Sequence, residues 1–146
     1  MRNHAAQARG AGRIPPGMVA HVARTLDRIR WRPRDALAFA GRFLSEPKAH
    51  VYFTPPARPL APARFRAAAS RHGIVLDRRA RLLYAGGMFF LNGEAVEAPR
   101  PCAAWLRKLA DSRTLLAMAD APSPFWELVR EWHARGFVHL GEERKP

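Results

Sequence analysis

Six histidines, one cysteine and twelve carboxylates are the groups through which this 146-residue chain could do acid–base, nucleophilic or metal chemistry. No His-Glu-x-x-His pair sets two zinc ligands on one helix face, and no glycine-rich loop runs into Lys-Ser or Lys-Thr to cradle phosphates. Cys102 stands alone, so neither an intramolecular disulfide nor a cysteine metal cluster can form. With no motif around it, Cys102 reads as a small, partly buried helix residue rather than a nucleophile. Glu127 and Glu131 are spaced i, i+4 and read as a solvated helix face pairing with Arg130 or Arg135. His50 heads an aromatic run and reads as a hydrogen-bonded structural residue. His133 follows Trp132 near a helix C-terminus, where an imidazole complements the helix dipole. No catalytic, cofactor-binding or metal-ligating residue emerges from these spacings.

The charges suggest binding instead. The net charge is +13, distributed as +7 over residues 1–50, +5 over 51–100 and +1 over 101–146. A basic N-terminal two-thirds could meet RNA, DNA or an acidic protein face. Only Lys48, Lys108 and Lys145 are lysines, and the remaining basic residues are arginine. That bias, with many Ala, Gly and Pro, reads as drift in a GC-rich genome ahead of a dedicated nucleic-acid surface. A composition of 48% hydrophobic residues argues for a packed core and against disorder. No run of about 18 apolar residues offers a membrane span. The basic start, MRNHAAQARGAGR, leads into no apolar signal core, so a cytoplasmic bacterial protein is expected.

Local patterns define the elements. Pro15-Pro16 opens a helix carrying Met18, Val19, Val22, Leu26 and Ile29 as one apolar stripe, with Arg24, Arg28 and Arg32 on another face and Trp31 at its end. A second helix is expected over Pro33–Ser45, with Leu37, Phe39, Phe43 and Leu44 apolar. Glu46-Pro47 stops it, because the residue before proline avoids helix. An extended run His50–Phe53 follows, then the proline-rich connector 54–62. Further elements are a helix Pro62–His72, a strand Ile74–Leu76, a charged turn Arg78-Arg79-Ala80-Arg81, and strands Leu82–Ala85, Met88–Leu91 and Glu94–Val96. Gly86-Gly87 and Asn92-Gly93 are hairpin signals. A helix Cys102–Asp111, a short helix around Leu115, Leu116 and Met118, a helix capped by Ser123 and a final strand Phe137–Leu140 complete the chain. The pattern by itself supports a mixed α+β fold, mainly helical with a small antiparallel sheet. The expected core is Leu26, Phe43, Tyr52, Phe53, Leu83, Phe89, Phe90, Trp105, Trp126 and Trp132.

The stretch GRFLSEPKAHVYFTPP (Gly41–Pro56), together with LLYAGGMFFLNGEAV (Leu82–Val96), resembles the JmjC-type cupin oxygenases that hydroxylate ribosomal proteins, in the bacterial arginine-hydroxylating branch. The resemblance runs from about Arg13 to Leu140 and concerns the part that follows the catalytic cupin. It implies a winged-helix-like domain over 54–146, with hairpin Leu82–Leu91 as the wing or its base. Before it would stand a helical dimerisation-like segment, 15–53, and an arm or linker remnant, 1–14. Those enzymes use iron(II) and 2-oxoglutarate, with two metal ligands drawn from His-x-Asp or His-x-Glu. Here His4, His21, His50, His72, His133 and His139 are followed two positions later by Ala, Ala, Tyr, Ile, Arg and Gly. The resemblance therefore implies no cofactor in this chain and no turnover of 2-oxoglutarate by it alone.

What the resemblance implies is an assembly role. Val22, Leu26, Ile29, Phe39 and Phe43 would form a homodimer interface, serving to position a separately encoded cupin or a ribosomal protein. The competing expectation is a nucleic-acid-binding winged helix, with Arg64, Arg66 and Arg71 on one helix and Arg78, Arg79 and Arg81 beside the wing. These arginines would serve equally for an acidic partner. A third expectation is that the chain is a fragment, because RNHAAQARGAGRIPP resembles the linker joining the cupin to the helices.

Overall fold

The computed structural model of the chain describes residues 13–141, so nearly all of the arm expected over 1–14 lies outside the described residues. The chain divides into two compact units, one up to Pro33 and one from Arg34 onward. The first holds α1, Pro16–Arg28. Proline occupies its first turn, where a missing N–H costs nothing. The helix ends at Arg28, before the expected Trp31, because Ile29 turns to extended backbone while its N–H still bonds Leu26 O. None of its residues is buried.

The second unit contains α2 (Pro33–Ser45, its first residue at the boundary), α3 (Pro62–His72), β1 (Ile74–Leu76), β2 (Leu82–Ala85), β3 (Met88–Leu91) and β4 (Glu94–Val96). It continues through α4 (Ala103–Ser112), β5 (Thr114–Leu115), α5 (Ser123–Ala134) and β6 (Val138–Leu140). The fold is α+β, as expected, but its strands form two antiparallel sheets. One is the meander β2-β3-β4; the other has order β5-β1-β6. Strand β1 does not join the meander that follows it. Its Ile74 pairs with Leu115 on one side and Leu140 on the other.

Several expectations need correction. Residues Leu115–Met118 form no helix. Arg113 adopts a left-handed conformation (φ 61°) that ends α4 and turns the chain straight into β5. The run His50–Phe53 joins no sheet, and His50 is exposed. Residues Arg100–Cys102 make a separate 3-10 turn before α4, and Cys102 is fully buried, which pushes its thiol pKa up. Ser123 lies inside α5 and caps nothing; the cap position is Pro122.

The core forms where α3, α4 and α5 pack on both sheets, around Phe65, Leu106, Leu109, Phe125, Val129 and Trp132. Phe89, Phe90, Trp126 and Trp132 are buried as expected, and Phe53 and Trp105 partly so. Leu26, Phe43, Tyr52 and Leu83 are exposed instead, Tyr52 to 77%. Hydrophobic type alone does not say which face is covered.

Strand β3 explains why MFFL is apolar throughout. Side chains alternate across a sheet, so Phe89 and Leu91 enter the main core while Phe90 points to the other face. There α2 covers Phe90 with Gly41, whose missing side chain lets the ring lie against the helix. Ser45 Oγ accepts the Gly93 N–H (2.9 Å) and anchors the end of α2 to the β3–β4 turn. That turn has Asn92 at φ 51° and Gly93 at φ 88°. Replacing Gly93 with valine is expected to cost about 1–2 kcal/mol, since a β-branched residue strains that backbone region. An unchanged melting temperature would show that the turn tolerates the strain.

Candidate functional site

The residues expected to bind partners lie on helix faces and one turn. On α1, Val22 and Leu26 are exposed, Leu26 to 60%, as is Ile29 just past the helix end. On α2, Gly41 and Ser45 face the sheet, which turns Phe39 and Phe43 outward. Each of these two rings is 65% exposed. They stack nearly parallel, with centroids 6.0 Å apart and planes 10° from one another. Beside them lies a recess of about 300 Å³ bordered by Arg42, Glu46 and Asn92.

All six candidate arginines are exposed, and three of them are also engaged within the chain. Arg66 places its guanidinium 5.3 Å from the ring centroid of Trp126. Arg81 donates from Nη1 to Leu44 O (3.2 Å), and its N–H donates to Asn92 Oδ1 (2.9 Å). Arg79 is held most firmly. Its backbone N–H and Nε donate to Asp77 Oδ1 (both 2.9 Å), Nη2 to Oδ2 (3.0 Å), and Nη1 to Tyr52 O (2.5 Å). Arg64, Arg71 and Arg78 make no such contact among the described residues.

Asp77 organises the polar centre of this unit. It is one of three buried polar residues among those described, with Ser45 and His133. Besides Arg79 it contacts His139 Nε2 at 2.7 Å from Oδ2, tying the turn after β1 to β6. Arg113 closes the same turn by donating to Asp77 O (2.7 Å) and Ala80 O (3.1 Å). A cleft of about 790 Å³ opens here, bordered by Arg78, Thr114 and His139 among others. Burial alone would raise the Asp77 pKa; the hydrogen bonds from Arg79 and His139 outweigh it and hold the carboxyl well below the usual range. Sequence reading passed over Asp77 and His139. The available signal was Asp-Arg-Arg directly after a strand, since Asp often bonds the backbone N–H two residues on.

His133, buried, bridges α5 to β6 through Nδ1 and Val138 O (2.9 Å). The expected pairing of Glu131 with Arg135 does not occur. Arg135 reaches Glu94 (3.4 Å) and lies 4.5 Å over Phe137.

A three-helix core with a β-hairpin wing and a second small sheet defines a winged-helix domain. The chain belongs to the ROXA-like winged helix family, which it matches over residues 28–139. None of the curated proteins matches it. Among solved structures it is similar to Escherichia coli YcfD, with a TM-score of 0.67 and 21% identity over 96% of this chain and 37% of that one. A second structure, of the E. coli ribosomal oxygenase YcfD, gives a TM-score of 0.66 at 22% identity, covering 96% and 38%. A third, of that oxygenase with cobalt and 2-oxoglutarate, gives 0.65 at 20%, with the same coverage. At such identity the likeness is one of fold, and the chain spans under two-fifths of those structures.

The side chains present do not fit the metal centre of such oxygenases. No His-x-acid pair exists in the sequence. Among the described residues no group of three His, Cys, Asp or Glu could hold a metal ion. No helix of the described residues is long and apolar enough to cross a membrane.

Proposed function

We propose that this chain is a non-catalytic assembly domain that dimerises through α1 and α2 and thereby positions a catalytic cupin or a protein substrate. The observation that carries this reading is α1. It is amphipathic, yet Met18, Val19, Val22 and Leu26 are all exposed, as is Ile29 just past its end. Contiguous apolar surface of this kind is rarely left open to water and marks an interaction site. The outward Phe39–Phe43 stack on α2 supports the same role. The second copy is the chosen occupant because both helices resemble the end of the family's dimerisation region. The role of accessory part to a ribosomal-protein hydroxylase, in the cytoplasm, follows from the same resemblance.

Light scattering across a concentration series tests it. Wild type is expected at the mass of two chains, and Leu26→Asp or Phe43→Asp at the mass of one. A buried aspartate at such a contact costs several kcal/mol, enough to split a modest dimer. Arg24→Ala and Arg28→Ala should leave the dimer intact. A monomeric wild type, or a dimer that survives Leu26→Asp, would refute the reading.

The nucleic-acid alternative has weaker support. A winged helix on DNA uses one helix in the groove and its wing on the backbone. Here the wing tip is Ala85-Gly86-Gly87-Met88, without a basic residue. Three of the six candidate arginines are occupied within the chain, as described above for Arg66, Arg79 and Arg81. Binding that weakens steeply with salt would favour this alternative.

A further inference from the structure

The sheet β5-β1-β6 has two unlike faces. Ile74, Leu76, Leu115, Val138 and Leu140 turn into the core. Side chains alternate along a strand, so Val75, Thr114 and His139 turn the other way, and all three are half-buried. Val75 is the register partner of both Thr114 and His139, which sets the three in one row across the strands. They border the cleft of about 790 Å³ beside Asp77. That volume lies within the usual range for small-ligand sites.

Side-chain donors converge on this cleft, and its one carboxylate is already met. Asp77 is buried and takes Arg79 and His139. His139 turns Nε2 to Asp77, so the ring is oriented from behind and Nδ1 is left for the cleft. Arg78 also borders the cleft, exposed, and meets no carboxylate among the described residues. Thr114 Oγ1 has no hydrogen-bond partner among them either. Arg113 spends only Nη2 on the carbonyls of Asp77 and Ala80, which hold its guanidinium in place with Nε and Nη1 still to donate. It is also an unusual residue for its position. At φ 61° it ends α4 where glycine or asparagine is the common choice. An arginine there costs backbone strain, and strain of that kind collects at functional sites.

We propose that this cleft binds a small molecule carrying a phosphate group. Arg78 and Arg113 pair the phosphate oxygens, Thr114 donates its hydroxyl hydrogen, and the organic part lies along Val75 and the His139 ring. A phosphate monoester presents three strong acceptor oxygens, one for each of those two guanidiniums and the hydroxyl, where a carboxylate presents two. None of the residues bordering the cleft belongs to α1 or α2, so the proposal is independent of the dimer reading.

The test is titration of the purified, isotope-labelled chain with phenyl phosphate, followed by amide chemical shifts and by calorimetry. Saturable binding is expected, with the largest shifts at Val75, Thr114 and His139. Phenol, which lacks the phosphate, should not saturate, and benzoate should bind more weakly than phenyl phosphate. Arg78→Gln should weaken binding about fivefold, the scale of one exposed ion pair, and its melting curve should overlay that of wild type. Thr114→Val keeps the side chain's branched shape, loses the hydroxyl and should also bind more weakly. Absence of saturable binding, equal binding of phenol, shifts confined to other residues, or unchanged affinity in both variants would overturn the proposal. So would a labelled oligouridylate that displaces phenyl phosphate and binds far more tightly, which would assign the cleft to a nucleic-acid backbone instead.

Discussion

Gly41→Val is expected to destabilise the unit from Arg34 onward by about 3 kcal/mol, the upper end of the usual overpacking cost. A Cβ at Gly41 would overlap the Phe90 ring, with three ring carbons in its space. Phe90 is itself buried, 1% exposed, on a strand paired at both edges, so it has little room to retreat. The added side chain therefore lifts α2. That strains the Ser45–Gly93 hydrogen bond and opens the apolar recess between α2 and the meander, about 340 Å³ and bordered by Leu37 and Leu82. The small helix-propensity gain from losing a glycine, under about 1 kcal/mol, does not offset this. Thermal unfolding measures the effect. The double variant Gly41→Val, Phe90→Ala should lose less than the sum of the two single changes, because the pair shares one space. A melting temperature at or above wild type for Gly41→Val would refute the packing of α2 described here. Phe43→Asp, on the opposite face of the same helix, should alter mass in solution and leave the melting temperature nearly unchanged.

Asp77→Asn is expected to cost about 2–3 kcal/mol, the range for a buried hydrogen-bonding group to charged partners. The amide loses charge and presents N–H groups where Arg79 or His139 now meets an acceptor oxygen. The effect has a pH signature. A carboxyl whose folded pKa is depressed contributes stability that is present above its unfolded pKa, about 4, and lost as the pH falls through the folded value. Wild type should therefore lose stability steadily below about pH 4, while Asp77→Asn should lose less over that window. Urea unfolding at a series of pH values reads both. Parallel acid limbs for the two proteins would show that Asp77 does not carry the linkage. A second polar tie, from Tyr84 Oη to the Asp111 carboxylate (3.1 Å), raises the phenol pKa by its hydrogen bond and charge; it lies at the exposed rim.

Much of the local structure was legible in the residues. The bounds of α2, α3 and β1 to β4 follow from prolines at helix starts, Gly73 at a helix end, and the turns Gly86-Gly87 and Asn92-Gly93. Such signals act within a few residues, where backbone sterics decide, so no long-range contact is needed to read them. The lack of a His-x-acid pair was equally plain, and so was the winged-helix resemblance.

Tertiary structure decided what those signals leave open. Strand β1 finds partners at Leu115 and Leu140, not among the strands that follow it, because pairing is settled by which edges the packed helices leave available. Phe43 and Phe90 are the same residue type, yet one faces water and the other lies under Gly41. Of the arginines that looked alike along the chain, all exposed, Asp77, Trp126 and Leu44 O engage three and leave the others without such a contact. Glu127 and Glu131 lost their expected partner when Glu94 took Arg135. In each case the sequence specifies the kind of side chain, and only the folded chain specifies what stands opposite it, because burial and ion pairing join residues far apart along the backbone.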